Sequence, residues 1–237
     1  MDEIIQHNYQ QVLDKIHRAA RLSDRDPQEV KLVVVTKGQP MRKIRSVLAA
    51  GAQRLGENYV EEAVLKIQEL KSELQPEWHM IGHIQSRKAR GACEHFDYIH
   101  SLDSLKLAAR LNHFADQLGR RVPVLLEFNV SGEATKYGFQ AWDKSMWPGL
   151  LAEIEAILEF QNLLVSGLMV MPPYFPNPNT VRPYFRCGRV LREYLSKHVP
   201  QGNWRELSMG MSNDFEVAIQ EGATIVRIGQ AILGERQ

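Results

Sequence analysis

Only two cysteines occur in the 237 residues, Cys93 and Cys187. They lie far apart and form neither a metal-binding nor a redox spacing. That speaks against a disulfide framework and fits a reducing, cytoplasmic setting. No apolar run approaches the ~20 residues that a membrane-spanning helix needs. The N-terminus, MDEIIQHNYQ, is polar and opens on acids, unlike a signal peptide. Excess charge of one sign is missing too: 29 Lys and Arg stand against 28 Asp and Glu. Nothing therefore marks a nucleic-acid or membrane surface. Gly/Ser-rich linkers and breaks in composition are also absent, so residues 1–237 read as one domain.

What is present is an ordinary globular composition, 44% hydrophobic and 24% charged, so the pattern carries the information. Short β-rich runs alternate with longer helical ones. Strands are expected near 32–37, 53–57, 78–84, 98–102, 122–130, 164–171, 206–210 and 224–228. Between them lie helical stretches such as SLKLAARLNHFADQLG, where Leu105, Leu107, Ala108, Leu111 and Phe114 keep a period near 3.6. A further helix, IIQHNYQQVLDKIHRAARL, precedes the first strand. Strand and helix in alternation imply parallel strands joined by crossovers. Eight such units in about this length fit an α/β fold, a (β/α)8 TIM barrel of typically ~250 residues, with an extra N-terminal helix. A doubly wound open sheet is the rival. The Pro-rich MPPYFPNPNTVRPYF, 171–185, reads as a long loop after the sixth strand, on the rim of such a barrel.

Barrel sites form at the C-terminal ends of the strands, and the awkward polar residues gather there. Lys37 leaves the most apolar strand, KLVVVTKGQP. Asn58 follows the second strand, and His83 and Gln85 close the third. Asn129 and Ser131 end the fifth, and Met169 and Met171 the sixth. LSMGMSND and VRIGQAILG end the last two. Loops after strands seven and eight of a barrel often hold a phosphate. Ser212 is expected at a helix N-cap there, with backbone N–H groups from Gly229 and Gln230 beside it. The plain alternative is that Ser212 only caps and Gly229 only turns the chain.

Lys37 can be a general base, an ion-pair partner of Glu57 or Glu127, or an amine that forms a Schiff base. Its pKa of ~10.4 would fall in a desolvating pocket or beside a cation such as Arg227. A lysine with a phosphate clamp suggests a phosphate-bearing aldehyde; pyridoxal phosphate fits, as does a sugar-phosphate substrate of a Schiff-base aldolase. His79 and His83 are four apart. On a strand they would stand ~13 Å apart at ~3.3 Å per residue, too far to share a metal, so each is read as a core or pocket-edge histidine.

Six segments then occur in order: VVVTKGQP, LGENYVEEA, WHMIGHIQSRKAR, FNVSGEATKYGF, SGLMVMPP and LSMGMSNDFEVAIQEGATIVRIGQAILGER. Together they resemble the pyridoxal phosphate homeostasis protein family, single-barrel, fold type III relatives of the alanine racemase N-terminal domain. The resemblance runs from about residue 5 to the end. It implies that Lys37 carries pyridoxal 5′-phosphate as an internal aldimine and that Asn58 lies against one face of the ring. It implies further that Ser212, Gly229 and Gln230 hold the phosphate and that Arg227 faces the pyridine nitrogen. Thr36 stands where the family has Ser, Gln230 where Ser or Thr is common, and IGH where IGP is frequent.

The resemblance implies a carrier that buffers or delivers the cofactor inside the cell with little or no turnover. Apo pyridoxal phosphate enzymes are the expected recipients. The alternative is a small racemase-like enzyme acting on amino acids. Racemisation needs acid/base groups on both faces of the substrate carbanion; Lys37 could serve one, with Tyr137 and Tyr174 as rim candidates for the other. The chain ends at ILGERQ, directly after the eighth unit, which leaves no room for the racemase β-domain and makes a monomer the expectation.

Overall fold

The computed structural model describes residues 2–70 and 74–235; Arg236 and Gln237, the end of the ILGERQ segment, lie outside them. Among the described residues, nine strands follow one another as β1 (Lys31–Val35), β2 (Arg54–Glu57), β3 (Glu77–Met80), β4 (Tyr98–Leu102), β5 (Val122–Asn129), β6 (Phe139–Gln140), β7 (Leu163–Val170), β8 (Glu206–Ser208) and β9 (Ile225–Ile228). All pair in parallel, in the order β4-β3-β2-β1-β9-β8-β7-β5. Pairing of Leu102 with Leu126 joins β4 to β5 and closes the ring. The open doubly wound sheet is thereby ruled out. The two-residue β6 is an annex, pairing with β5 at Phe128 and Asn129, beyond the point where β4 pairs with it.

Alternate residues of a strand face opposite ways, and the two faces meet different cores. Val33, Tyr98, Leu125, Met169 and Ile225 form a small cluster inside the barrel, while the larger core lies between strands and helices. The helices are α1 (Asp2–Arg21), α2 (Met41–Ala49), α3 (Val60–Leu70), α4 (Ala89–His95), α5 (Leu105–Gln117), α6 (Trp147–Leu158), α7 (Arg182–His198), α8 (Phe215–Gln220) and α9 (Gln230–Leu233). α5 begins where Ser104 accepts the Leu107 N–H at 3.3 Å, and it buries Leu107, Ala108, Leu111 and Ala115.

The extra helix has a structural task. α8 and α9 span only six and four residues, too short to cover the outside of the last strands. α1 lies across α2, α8 and α9. It buries Ile5, Tyr9, Val12, Ile16 and Ala20 along one stripe, the helical spacing of an amphipathic cover. Asn8 ties it to the carbonyl of Ile232 at 3.2 Å.

Most strand ends shift by one or two residues from expectation, and two boundaries differ by more. The third strand stops at Met80 rather than 84, because Ile81–Gln85 turns across the barrel mouth. The Pro-rich segment returns to a helix at Arg182 rather than after 185. Pro183 sits in the first turn of α7, where a missing N–H costs no helical hydrogen bond.

Candidate functional site

The C-terminal ends of the strands surround a cavity of about 780 Å³. Lys37, Asn58, Ser212, Arg227, Gly229 and Gln230 all line it. The structure therefore brings together the six residues that the resemblance implies for the cofactor, from the ends of four strands: β1, β2, β8 and β9.

Lys37 leaves β1 two residues after Val35, and Gly38 turns the chain with a φ of 65°. A buried ion cluster underlies this exit. Lys66 Nζ donates to Glu57 Oε1 at 2.7 Å, Glu62 Oε1 at 2.6 Å and the Thr36 carbonyl at 2.7 Å. The Thr36 hydroxyl also donates to Glu57, at 2.6 Å. Glu57 is fully buried, and burial raises its pKa against the pull of Lys66 and Thr36. Glu57, one carboxylate considered for Lys37, is thus engaged by Lys66. Glu62 accepts from the Gly38 N–H at 2.6 Å, which ties α3 to the Lys37 turn. Asn58 is held by a close crossing: a Cβ on Gly82 would stand 2.4 Å from the Asn58 carbonyl oxygen. Only glycine lets the loop after β3 pass over Asn58 there.

Arg227 is 5% exposed and forms part of the cavity floor. It donates to Ser208 Oγ at 2.6 Å and to the Val170 carbonyl at 3.2 Å. Burial lowers its pKa to about 10, opposed by Glu127 and Asp214, so it stays cationic at neutral pH. Glu127 also lines the cavity. Burial, then repulsion from Asp103, pushes its pKa up to about 7, with Arg227 pulling the other way.

The other side offers hydrogen-bond donors. Gly229 lets β9 lie close to β1: a Cβ there would stand 3.0 Å from the Val35 carbonyl oxygen. Its N–H and that of Gln230 meet no backbone acceptor among the described residues. Ser212 is not the N-cap of α8, a position that Asp214 takes. Its hydroxyl instead accepts the Ala231 N–H at 3.2 Å, which joins the loop after β8 to the first turn of α9. Asp214 shapes the first of these loops by accepting the Met211 N–H at 2.6 Å.

Other strand-end residues divide between rim and scaffold. His83, Gln85, Met171, Tyr137 and Tyr174 reach the cavity. The His83 ring stacks on Tyr137 at 3.6 Å between centroids, and its Nδ1 lies 2.9 Å from Asp103. Asn129 instead holds its own loop, accepting from Ser131 and Gly132 N–H at 3.1 Å each. Met169 is core, and so is His79, at 1% exposure. The sequence reading gave Glu127 no role beyond a possible partner for Lys37, and missed Asp214 and Gly82. A carboxylate inside LLEFNV, an otherwise apolar strand, was the available signal for Glu127.

An amine, a guanidinium and an N–H-rich cup around one cavity can fix an anion and present a nucleophilic nitrogen to a carbonyl carbon. Comparison with known proteins bears on that arrangement. The family described as "Alanine racemase, N-terminal domain" matches residues 3–237. The pyridoxal phosphate homeostasis protein of Aquifex aeolicus is 42% identical over 227 residues, covering 95% of this chain and 96% of that protein. Its namesake from Escherichia coli K12 is 39% identical, with 98% and 97% covered. The chain belongs to the pyridoxal phosphate homeostasis protein family. Among solved structures, PipY of Synechococcus elongatus with PLP bound superposes with a TM-score of 0.79 at 37% identity, covering 93% of this chain and 100% of that one. The family's fold reaches further. Alanine racemase of Clostridium difficile gives a TM-score of 0.70 at 15% identity, with 97% of this chain matched to 56% of that one; at that identity the likeness is one of fold.

Proposed function

We propose that this chain, as one domain over residues 1–237, binds pyridoxal 5′-phosphate (PLP) at the barrel mouth. It serves intracellular PLP homeostasis by buffering and delivering the cofactor, with little or no turnover. The observation that carries the reading is the gathering of Lys37, Asn58, Ser212, Arg227, Gly229 and Gln230 around one cavity, in a chain 37% identical to a protein solved with PLP bound.

The residues fit the group. Lys37 would supply the amine that meets the aldehyde. Ser212 and the N–H groups of Gly229 and Gln230 would receive the phosphate. Asn58 would lie against a face of the ring, and Arg227 would offer a donor to the ring nitrogen. Bound there, PLP supplies an aldehyde and an electron-withdrawing ring. An arginine has no acceptor, so it favours an unprotonated ring nitrogen, the weaker electron sink. Carbanion chemistry such as transamination is thereby disfavoured. Apo forms of PLP enzymes are the recipients, and the chain works as a cytoplasmic monomer. No helix among the described residues is long and apolar enough to cross a membrane.

The test is the visible absorption of protein incubated with PLP. Wild type gains a band and Lys37→Ala does not; a band of equal strength in Lys37→Ala overturns the attachment. Tyr137 and Tyr174 both reach the cavity, which favours the racemase-like enzyme as a second reading. Amino acids incubated with the loaded protein decide it: PLP passed to an apo-enzyme with enantiomers unchanged supports the carrier, and racemisation supports the enzyme.

A further inference from the structure

Beneath the mouth, Arg227 leads into a row of polar side chains in the barrel interior to which the proposed roles assign nothing. Arg227 Nη1 donates to Ser208 Oγ at 2.6 Å. Ser208 Oγ lies 2.9 Å from His100 Nδ1, and His100 Nε2 lies 2.8 Å from His79 Nδ1. His79 Nε2 faces Glu77 Oε1 at 3.5 Å. His79, His100, Ser208 and Arg227 are buried. Glu77, at the start of β3, is 40% exposed at the opposite end of the barrel and pairs with Arg54 at 3.0 Å.

The two ends of the row favour one direction. A guanidinium only donates, so Ser208 Oγ accepts from Arg227 and keeps its own proton to give; a carboxylate only accepts, and the one facing His79 Nε2 favours a chain in which that proton turns to His100 Nδ1. That nitrogen is then an acceptor, and neutral His100 carries its proton on Nε2. This N–H donates to His79 Nδ1, so His79 also carries its proton on Nε2, which makes no hydrogen bond but faces the Glu77 carboxylate at 3.5 Å. Burial keeps both rings neutral. It is the main cause of the low pKa of His100, followed by the charges of His79, Arg227 and Lys31. It also lowers that of His79 against the pull of Glu77. Tyr98 stacks on His79 with 5.2 Å between centroids and holds that ring in plane.

We propose that His100 is a positioning residue for Arg227. Acting through Ser208 and backed by His79, it locks the Ser208 hydroxyl so that its lone pair faces the guanidinium. The second Arg227 bond, to Val170, completes the clamp and leaves the remaining donors to the cavity. Without an acceptor at position 100 the hydroxyl rotates, and the guanidinium loses its fixed plane. Only the cofactor readouts below rest on the proposed function.

The direct test reads histidine tautomers by side-chain 15N NMR on wild-type protein without PLP. The expected result is His79 and His100 both neutral with the proton on Nε2; a charged ring or the Nδ1–H form at either position overturns the relay. The second test loads variants with PLP. His100→Asn retains an acceptor for Ser208, and His100→Leu removes it. PLP retention is expected to fall about tenfold in His100→Leu and less than about twofold in His100→Asn, as for one lost hydrogen bond to a charged network. The visible band of bound PLP is expected to become pH-dependent between about pH 6 and 8 in His100→Leu only, because a loosened guanidinium no longer holds the ring nitrogen in one protonation state. Equal behaviour of the two variants overturns the positioning role. If His100→Leu does not fold, Ser208→Ala takes its place: a matching loss supports the relay, and wild-type retention overturns it. A wild type that takes up no PLP refutes the proposed function, while the tautomers still judge the relay.

Discussion

Replacing Glu127 with glutamine isolates one buried charge at the cavity floor. Glu127 is 5% exposed, and its pKa is displaced from 4.5 to about 7 by burial first and Asp103 second, with Arg227 opposing. The folded chain therefore binds this proton more tightly than the unfolded chain does. Stability from the proton is complete below the ordinary value and is lost as pH rises through about 7. At about 1.4 kcal/mol for each tenfold change in proton affinity, the loss reaches about 3 kcal/mol. Arg227, with a pKa near 10, stays charged throughout this window. Glu127→Gln cannot titrate, so its stability relative to wild type should rise between about pH 5 and 8 by up to about 3 kcal/mol. Urea denaturation of both proteins without PLP, at several pH values, measures the difference. Parallel stability profiles would refute the reasoning, since the two chains share every other titrating group.

Lys66→Met strips the buried Glu57 of its cation and should cost about 3–5 kcal/mol at neutral pH; an unchanged urea midpoint would contradict the buried pairing. Gly82→Ala drives a Cβ into the Asn58 carbonyl. It should destabilise by about 1–3 kcal/mol and weaken PLP retention. Gly149→Ala, where a Cβ would meet nothing within 4 Å, should leave retention unchanged, and equal effects would sink the close-crossing argument.

The barrel was legible because its signals are local. Eight apolar runs separated by helical periods specify alternating units, and polar residues at the strand exits specify the functional end. Lys37, Asn58, Arg227 and the Gly229 turn could be read in this way because each sits beside a strand that announces itself. The relation of Ser212 to Ala231 could not, since it joins a loop to the first turn of α9, 19 positions away, and imitates a cap from the wrong helix. The relay was hidden for a similar reason. His79, His100, Ser208 and Arg227 belong to four strands, and only barrel closure sets them in a row. The strand YIHSL did carry a hint: all five residues are buried, and two of them, His100 and Ser101, are polar.

The most direct measurement of the central claim is to load the protein with PLP, reduce it with borohydride and map the labelled lysine by peptide mass spectrometry. The account predicts a single phosphopyridoxyl group on the peptide containing Lys37. A label on Lys88, which also borders the cavity, or on other lysines with Lys37 unmodified, would contradict it.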